Sequence, residues 1–128
     1  MSKKYLAEFV GTFGLSFMVL LAVSFAGSLP IAVPLMAALT LGLFVYSIGP
    51  VSGCHINPSV TLAQLSVKKI SVKDAVGYIV AQLAGALVAI YVAKMLVVVS
   101  PAVGAAYDSK VFMAEMLGAF FFNFGIPS

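Results

Sequence analysis

The stretch of sequence that decides the fold is Ser52-Gly53-Cys54-His55-Ile56-Asn57-Pro58-Ser59-Val60-Thr61-Leu62. It is polar and contains glycine and proline, yet no Asp, Glu, Lys or Arg occurs anywhere between Glu8 and Lys68. Lipid offers no hydrogen bonds to backbone that has left a helix, so such a break is stable at membrane depth only inside protein or beside a water-filled cavity. Hydrophobic segments interrupted by Gly and Pro point to transport sites. We therefore expect the function to be located here.

The composition of the chain is that of an integral membrane protein. Of its 128 residues 62% are hydrophobic and 9% are charged, and the mean hydropathy is +1.15. A soluble domain carries about 25% charged residues. At roughly 20 residues per crossing, the length allows three or four spans and leaves no room for a separate soluble domain. The single Cys54 excludes an intrachain disulfide and a multi-cysteine metal site.

The apolar runs predict an all-α transmembrane fold. Full spans are expected over about residues 5–26, 31–48 and 71–99, with Gly49-Pro50 ending the second span. The apolar piece at about residues 57–67 is only half as long as a crossing, so it is predicted to be a re-entrant half-helix. Residues 111–128 would begin a fourth span. Because the sequence stops there without flanking lysines, we expect truncation within that span.

The seven lysines predict the orientation in the membrane. They give the chain a net charge of +3, and their positions beside the apolar runs are typical of membrane anchors rather than of nucleic-acid binding. The two lysines before the first span and the three after the half-helix fall on one side, namely Lys3, Lys4, Lys68, Lys69 and Lys73. The positive-inside rule places that side, and the N-terminus, in the cytoplasm.

A short internal repeat divides the chain. The segment Ala7-Glu8-Phe9-Val10-Gly11-Thr12-Phe13 recurs, with substitutions, as Ala114-Glu115-Met116-Leu117-Gly118-Ala119-Phe120. Three predicted spans separate the two copies, so the second copy would run in the opposite direction, as in an inverted-topology repeat. We therefore predict a first repeat over residues 1–110 and the start of a second over residues 111–128.

The dipeptide Asn57-Pro58 is well suited to begin the half-helix. Asn is a strong N-cap, and Pro at the first helical position loses no needed hydrogen bond. The positive end of the helix dipole would then lie near the middle of the membrane. A free amide N–H of Asn57 and the carbonyls of Gly53, Cys54 and His55 would suit neutral hydrogen-bonding solutes and oppose cations. An ordinary loop before an interfacial helix explains the same residues equally well.

The stretch resembles the first signature of the aquaporin (major intrinsic protein) family, Ser-Gly-x-His-x-Asn-Pro-Ala-Val-Thr. The matching residues are Ser52, Gly53, His55, Asn57, Pro58, Val60 and Thr61. Two further segments are similar to the same family, Ala7-Glu8-x-x-Gly11-Thr12-Phe13 and Tyr78-x-x-Ala81-Gln82-x-x-Gly85-Ala86. The three motifs occur in order and at suitable spacing, and they make a specific match that extends over essentially the whole chain. The resemblance implies half of a right-handed helical bundle in a small-solute channel, which in the family has six spans and two half-helices and is usually tetrameric.

The resemblance also implies roles for single residues. The pore would be lined by Asn57, Pro58, Ser59, Gly53, Cys54, His55 and Ala37. Ser59 replaces the usual Ala, and Ala37 stands where water-selective members carry a bulky aromatic residue, which suggests a wider pore. The family's second Asn-Pro-Ala motif and its filter arginine are absent from this sequence.

Four further residues are predicted to support the half-helix rather than to touch solute. By resemblance, the carboxylates of Glu8 and Glu115 accept hydrogen bonds from backbone of the half-helix loops, and Gln82 and Thr61 brace the same region. His55 has no nucleophile or carboxylate near it in sequence, so we expect a hydrogen-bonding brace and no catalysis. One His and one Cys do not make a metal site. No enzyme activity and no cofactor are expected.

Three functions are compatible with these residues. The first is a half-pore for water or small neutral solutes such as glycerol in the plasma membrane, working as a homo-oligomer or with a separate second-half chain. The second is a non-conducting assembly subunit or a truncated product. The third is a dual-topology four-span cation exporter, which the lysine bias and the half-helix disfavour.

Overall fold

The computed structural model of the chain describes residues 2–25, 32–96, 109, 112–113 and 116–118. Four helices follow one another in this part of the chain: α1 (Lys3–Phe25), α2 (Ala32–Ser52), α3 (Pro58–Ser66) and α4 (Val72–Leu96). No β-strand occurs among the described residues. The all-α fold predicted from the apolar runs is confirmed.

Three of the helices are long and apolar enough to cross a membrane. Helices α1, α2 and α4 have 23, 21 and 25 residues, and at about 1.5 Å per residue each reaches the roughly 30 Å of a hydrocarbon core. Helix α3 has nine residues and extends only about 14 Å. The described part of the chain therefore has three full-length helices and one half-length helix.

Helices α1 and α2 pack antiparallel to each other through two glycines of α1. A Cβ atom placed on Gly11 would lie 2.7 Å from Cδ1 of Ile48, and one placed on Gly14 would lie 2.5 Å from Cζ of Phe44. As the number rises along α1 it falls along α2, which gives the antiparallel direction. The missing side chains let the two helices approach closely, as small residues do between membrane helices.

Helices α1 and α4 are parallel, and their first residues lie at the same end of the bundle. The Lys4 ammonium contacts Asp74 Oδ1 at 2.7 Å. Farther along both helices, a Cβ atom on Gly85 would lie 2.5 Å from the carbonyl oxygen of Phe9. The backbones therefore touch at this crossing, where glycine leaves the necessary space.

The predicted end of the second span is wrong. Helix α2 does not stop at Gly49-Pro50 but continues to Ser52. Proline removes one backbone N–H, and near the end of a helix this loss involves a single hydrogen bond. Long-range contacts hold the last turn instead, since the Ser52 hydroxyl donates to Glu8 at 2.6 Å and the Tyr78 hydroxyl donates to the Ser52 carbonyl at 2.7 Å.

Several predicted segments lie outside the described residues. These are the far ends of the first and third spans (26 and 97–99), the first residue of the second (31), and most of residues 111–128, including Glu115. Residues 109, 112–113 and 116–118 are helical. The fourth span and the inverted repeat stay predictions.

Candidate functional site

The polar loop of residues 53–57 connects α2 to α3 through an unusual backbone. Gly53, Cys54 and Ile56 have φ values of +83°, +51° and +37°. Only glycine adopts such values without steric cost, so Cys54 and Ile56 persist in this conformation because their surroundings fix it.

Glu8 provides most of that fixation. Its side chain is fully buried, and both carboxylate oxygens accept hydrogen bonds. Oε1 accepts from the Ser52 hydroxyl at 2.6 Å and from the His55 N–H at 2.9 Å. Oε2 accepts from the Ile56 N–H at 2.6 Å and from Gln82 Nε2 at 2.8 Å. Among the described residues, four donors and no acceptor surround the group, which is the environment that an ionised carboxylate requires.

The amide hydrogens of residues 53–56 all point toward protein acceptors. The Gly53 N–H reaches the Gly49 carbonyl at 2.8 Å, and the Cys54 N–H reaches Ser52 Oγ at 3.1 Å. The His55 and Ile56 N–H groups donate to the Glu8 carboxylate.

This pattern also determines where the carbonyl oxygens point. The described peptide bonds are all trans, so the N–H of one residue and the C=O of the residue before it point in opposite directions. Since the amides of residues 54, 55 and 56 point to Ser52 and Glu8, the carbonyls of Gly53, Cys54 and His55 point away from them. They are the three carbonyls that the sequence analysis proposed as an acceptor row, and their place in a pore stays a prediction.

Asn57 and Pro58 begin α3. Asn57 has extended backbone, with φ −153° and ψ 128°, and its Oδ1 accepts from the Ser59 N–H at 2.8 Å. Pro58 occupies the first turn, where a missing N–H costs nothing. Because Oδ1 is used for capping, the side-chain amide nitrogen is left to donate elsewhere, and the residue is exposed.

Thr61 and Gln82 tie α3 to α4 beneath the loop. Both side chains are fully buried, and Gln82 Nε2 donates to Thr61 Oγ1 at 3.0 Å. Thr61 Oγ1 also lies 3.2 Å from the Asn57 carbonyl and 3.1 Å from His55 Nδ1. A hydroxyl has one hydrogen and two lone pairs. All three contacts are satisfied only when Thr61 donates to Asn57 and the His55 Nδ1 carries a proton.

Tyr78 and Ser52 also belong to the site, although the sequence analysis assigned neither of them a role in it. The Tyr78 hydroxyl donates to the Ser52 carbonyl at 2.7 Å, and its ring packs edge-on against His55, with centroids 5.0 Å apart. Tyr78 lies one turn before Gln82 on α4, so both side chains share a face. That spacing is the signal by which the residue could have been found.

Two buried polar atoms have no hydrogen-bond partner among the described residues, Gln82 Oε1 and Thr12 Oγ1. Thr12 lies one turn after Glu8 on α1. Buried polar atoms are normally satisfied by protein or by ordered water.

The remaining predicted residues differ in their placement. Cys54 is buried at 7% exposure, so its thiol is packed within the protein. Ser59 is half-buried in the first turn of α3, and Ala37 is half-buried on α2. No hydrogen bond or ring contact in the described part of the chain joins Ala37 to the loop. Its place in a pore stays a prediction, as does the role of Glu115.

Comparison with known proteins agrees with the resemblance seen in the motifs. Residues 1–126 match the family model described as "Major intrinsic protein". The chain is 45% identical over 87 residues to glycerol uptake facilitator protein-like 6 of Lactiplantibacillus plantarum, which covers 68% of this chain and 40% of that protein.

Two other relatives carry aquaporin names. Aquaporin AqpM of Methanothermobacter thermautotrophicus is 34% identical over 114 residues, covering 72% of this chain and 46% of that protein. Aquaporin Z of Rhodopseudomonas palustris is 38% identical over 94 residues, covering 69% of this chain and 39% of that protein. The chain thus matches less than half the length of each of these curated relatives.

Proposed function

This chain belongs to the major intrinsic protein family, and from that premise we propose that it forms one wall of a membrane channel for water or small neutral solutes such as glycerol. The observation that carries the proposal is the clamping of the 53–57 loop by Glu8. It turns three backbone carbonyls away from Ser52 and Glu8 and leaves the amide nitrogen of the exposed Asn57 free to donate.

The chemistry of this surface suits neutral hydrogen-bonding solutes. The carbonyls of Gly53, Cys54 and His55 offer acceptors in a row, while Asn57 offers a donor beside them. The N-terminus of α3 adds the positive end of a helix dipole at the same point. Water and glycerol both donate and accept hydrogen bonds, so they can bind to this surface. A cation or a proton would instead be repelled by the positive end of the helix dipole.

A channel needs a second wall facing this one. We propose that a second chain, either another copy or a polypeptide carrying the second half of the fold, completes the pore, and that the assembly is a tetramer, as the family resemblance implies. We further propose that it lies in the plasma membrane, and the lysine distribution supports an orientation with the N-terminus in the cytoplasm.

The exporter alternative is disfavoured by the environment of Glu8. A coupling carboxylate must exchange its partners as it binds and releases a cation. Glu8 is fully buried and holds four donors from three other segments of the chain. Releasing any of them would also release the loop, so a structural role accounts for Glu8 better than a coupling role.

A non-conducting assembly subunit is the second candidate. It is favoured by the exposure of Asn57, because in the described part of the chain no opposing wall covers the polar loop. Conduction separates the two candidates.

Flux through proteoliposomes tests the proposal, with Asn57→Asp as the matched variant. The substitution keeps the oxygen that caps Ser59 and exchanges the amide N–H donor for an anionic oxygen that only accepts hydrogen bonds. Loss of one hydrogen bond of about 1 kcal/mol to the solute lowers flux about fivefold. Stopped-flow light scattering should show that vesicles containing the chain exchange water or glycerol faster than empty vesicles and that Asn57→Asp is slower. If the folded chain adds no flux, the assembly subunit replaces the channel. If Asn57→Asp conducts like wild type, the loop does not line the path.

A further inference from the structure

An apolar groove runs along the outside of the α1–α4 contact, away from the polar loop. Its volume is about 530 Å³, within the range of ligand pockets. The lining residues expose only apolar atoms to it and include Leu6 and Phe9 of α1 with Gly77, Val80, Ala81 and Ala84 of α4. The small α4 residues make the groove deep, while Leu6 and Val80 on its rims are 49% and 61% exposed.

The end of the groove nearest the starts of α1 and α4 is polar. The Tyr5 hydroxyl donates to Asp74 Oδ1 at 2.8 Å, and the Lys4 ammonium contacts the same oxygen at 2.7 Å. Lys4 also lies over the Tyr5 ring, 5.6 Å from its centroid. Tyr5 lines the groove, so this cluster forms its head. The charges of Lys4 and Asp74 cancel there.

Two further lysines near this head have no carboxylate partner in the described part of the chain. Lys3 precedes Leu6 by three residues, and Lys73 precedes Gly77 by four, so each lysine lies one helical turn above a residue of the groove wall. Both are exposed. The parallel α1 and α4 also start here, which adds the positive ends of two helix dipoles. The head of the groove is therefore positively charged, and its body is apolar.

We propose that this groove binds an anionic phospholipid, with one acyl chain along the apolar wall and the headgroup phosphate between Lys3 and Lys73. A groove on the outside of two membrane-spanning helices faces acyl chains, and lysines at the helix ends lie at the depth of the headgroups. Basic pockets between transmembrane helices recognise anionic headgroups. The binding does not depend on conduction, so its test is independent of the flux experiment.

The preference for an anionic headgroup is tested with two pairs of lysine-to-glutamine substitutions. Native mass spectrometry of the full chain in detergent, titrated with dioleoylphosphatidylglycerol or dioleoylphosphatidylcholine, measures how strongly each lipid is retained. Each lysine near an anionic lipid strengthens binding by about fivefold. Lys3→Gln with Lys73→Gln should therefore reduce the preference for phosphatidylglycerol about 25-fold. The control, Lys68→Gln with Lys69→Gln, removes the same charge from the α3–α4 loop and should keep the preference.

Substitutions that fill the groove test whether an acyl chain lies along its apolar wall. Ala81→Leu with Ala84→Leu adds bulk to the wall and leaves every lysine in place, so retention of phosphatidylglycerol should fall. Ala38→Leu on the exposed face of α2 is the control for added bulk. Circular dichroism verifies folding, and the lysine variants decide the matter if the filled variant does not fold. The proposal is overturned if the two lysine pairs behave alike. It is also overturned if the filled variant changes the oligomeric state while lipid retention stays at the wild-type value, because the groove would then hold a second copy.

Discussion

Replacing Glu8 with glutamine removes the clamp while changing the shape of the side chain very little. The carboxylate accepts from four donors, two at each oxygen. A glutamine has one oxygen and one NH₂ group, so two of the four donors then face another donor. Gln82 can turn its amide, because its Oε1 has no partner among the described residues. Whichever way the new amide lies, the backbone N–H of either His55 or Ile56 loses its acceptor.

The expected cost follows from the number of bonds affected. Leaving one buried N–H without an acceptor costs about 1–3 kcal/mol, and converting the other three bonds from charged to neutral weakens each by roughly 1 kcal/mol. Glu8→Gln should therefore lower the free energy of unfolding by about 4–6 kcal/mol, a large part of the total for a domain of this size.

Reversible unfolding in mixed micelles measures this change, and hydrogen exchange at His55 and Ile56 shows whether the loop is released. Thr12→Val is the control, because it alters a buried side chain one turn away whose hydroxyl has no partner in the described part of the chain. It should be neutral or slightly stabilising. A Glu8→Gln protein within about 1 kcal/mol of wild type, with both amides still protected, would refute the clamp.

Two further substitutions test the packing around the site. Gly85→Val places side-chain atoms against the Phe9 carbonyl, where a Cβ atom alone would lie 2.5 Å away, and should lower the free energy of unfolding by about 1–3 kcal/mol. A Cβ atom at Gly49 meets no atom within 4 Å, so Gly49→Ala should not lower it. Thermal unfolding of the two variants measures the difference. Tyr78→Phe leaves the buried Ser52 carbonyl without its donor and should lower the free energy of unfolding by about 1–2 kcal/mol, a difference that would be absent if water replaced the hydroxyl at no cost.

The start of the half-helix could be predicted from local chemistry. Asn57 caps with its own side chain, and Pro58 needs no acceptor, so two adjacent residues contain the whole signal. The end of α2 could not be predicted in this way. Its last turn is held by Glu8 and Tyr78, which lie 44 and 26 residues away from Ser52 along the chain, and a local rule about proline does not see such contacts.

Within the site too, local sequence patterns identified single residues but did not show the contacts between residues that are far apart in the chain. Motif resemblance pointed to Glu8 and Gln82 as supports, because both are part of recognisable segments. The hydrogen bonds that Glu8 accepts, and the direction of the loop carbonyls that follows from them, depend on how α1 packs against the end of α2, the 53–57 loop and α4. Tyr78 and Ser52 were in the quoted motifs, but their hydrogen bond becomes visible only in three dimensions.

Water accessibility at the first turn of α3 tests the central claim most directly. Cys54 is the single cysteine, so Cys54→Ser gives a background without thiols, into which Ser59→Cys and Leu87→Cys are introduced separately. Ser59 lies beside Asn57, and Leu87 is 67% exposed on α4, where lipid would surround it. A charged, membrane-impermeant methanethiosulfonate reagent should modify Ser59→Cys in proteoliposomes and leave Leu87→Cys unmodified. Modification of Ser59→Cys no faster than that of Leu87→Cys would contradict a water-filled path along the loop.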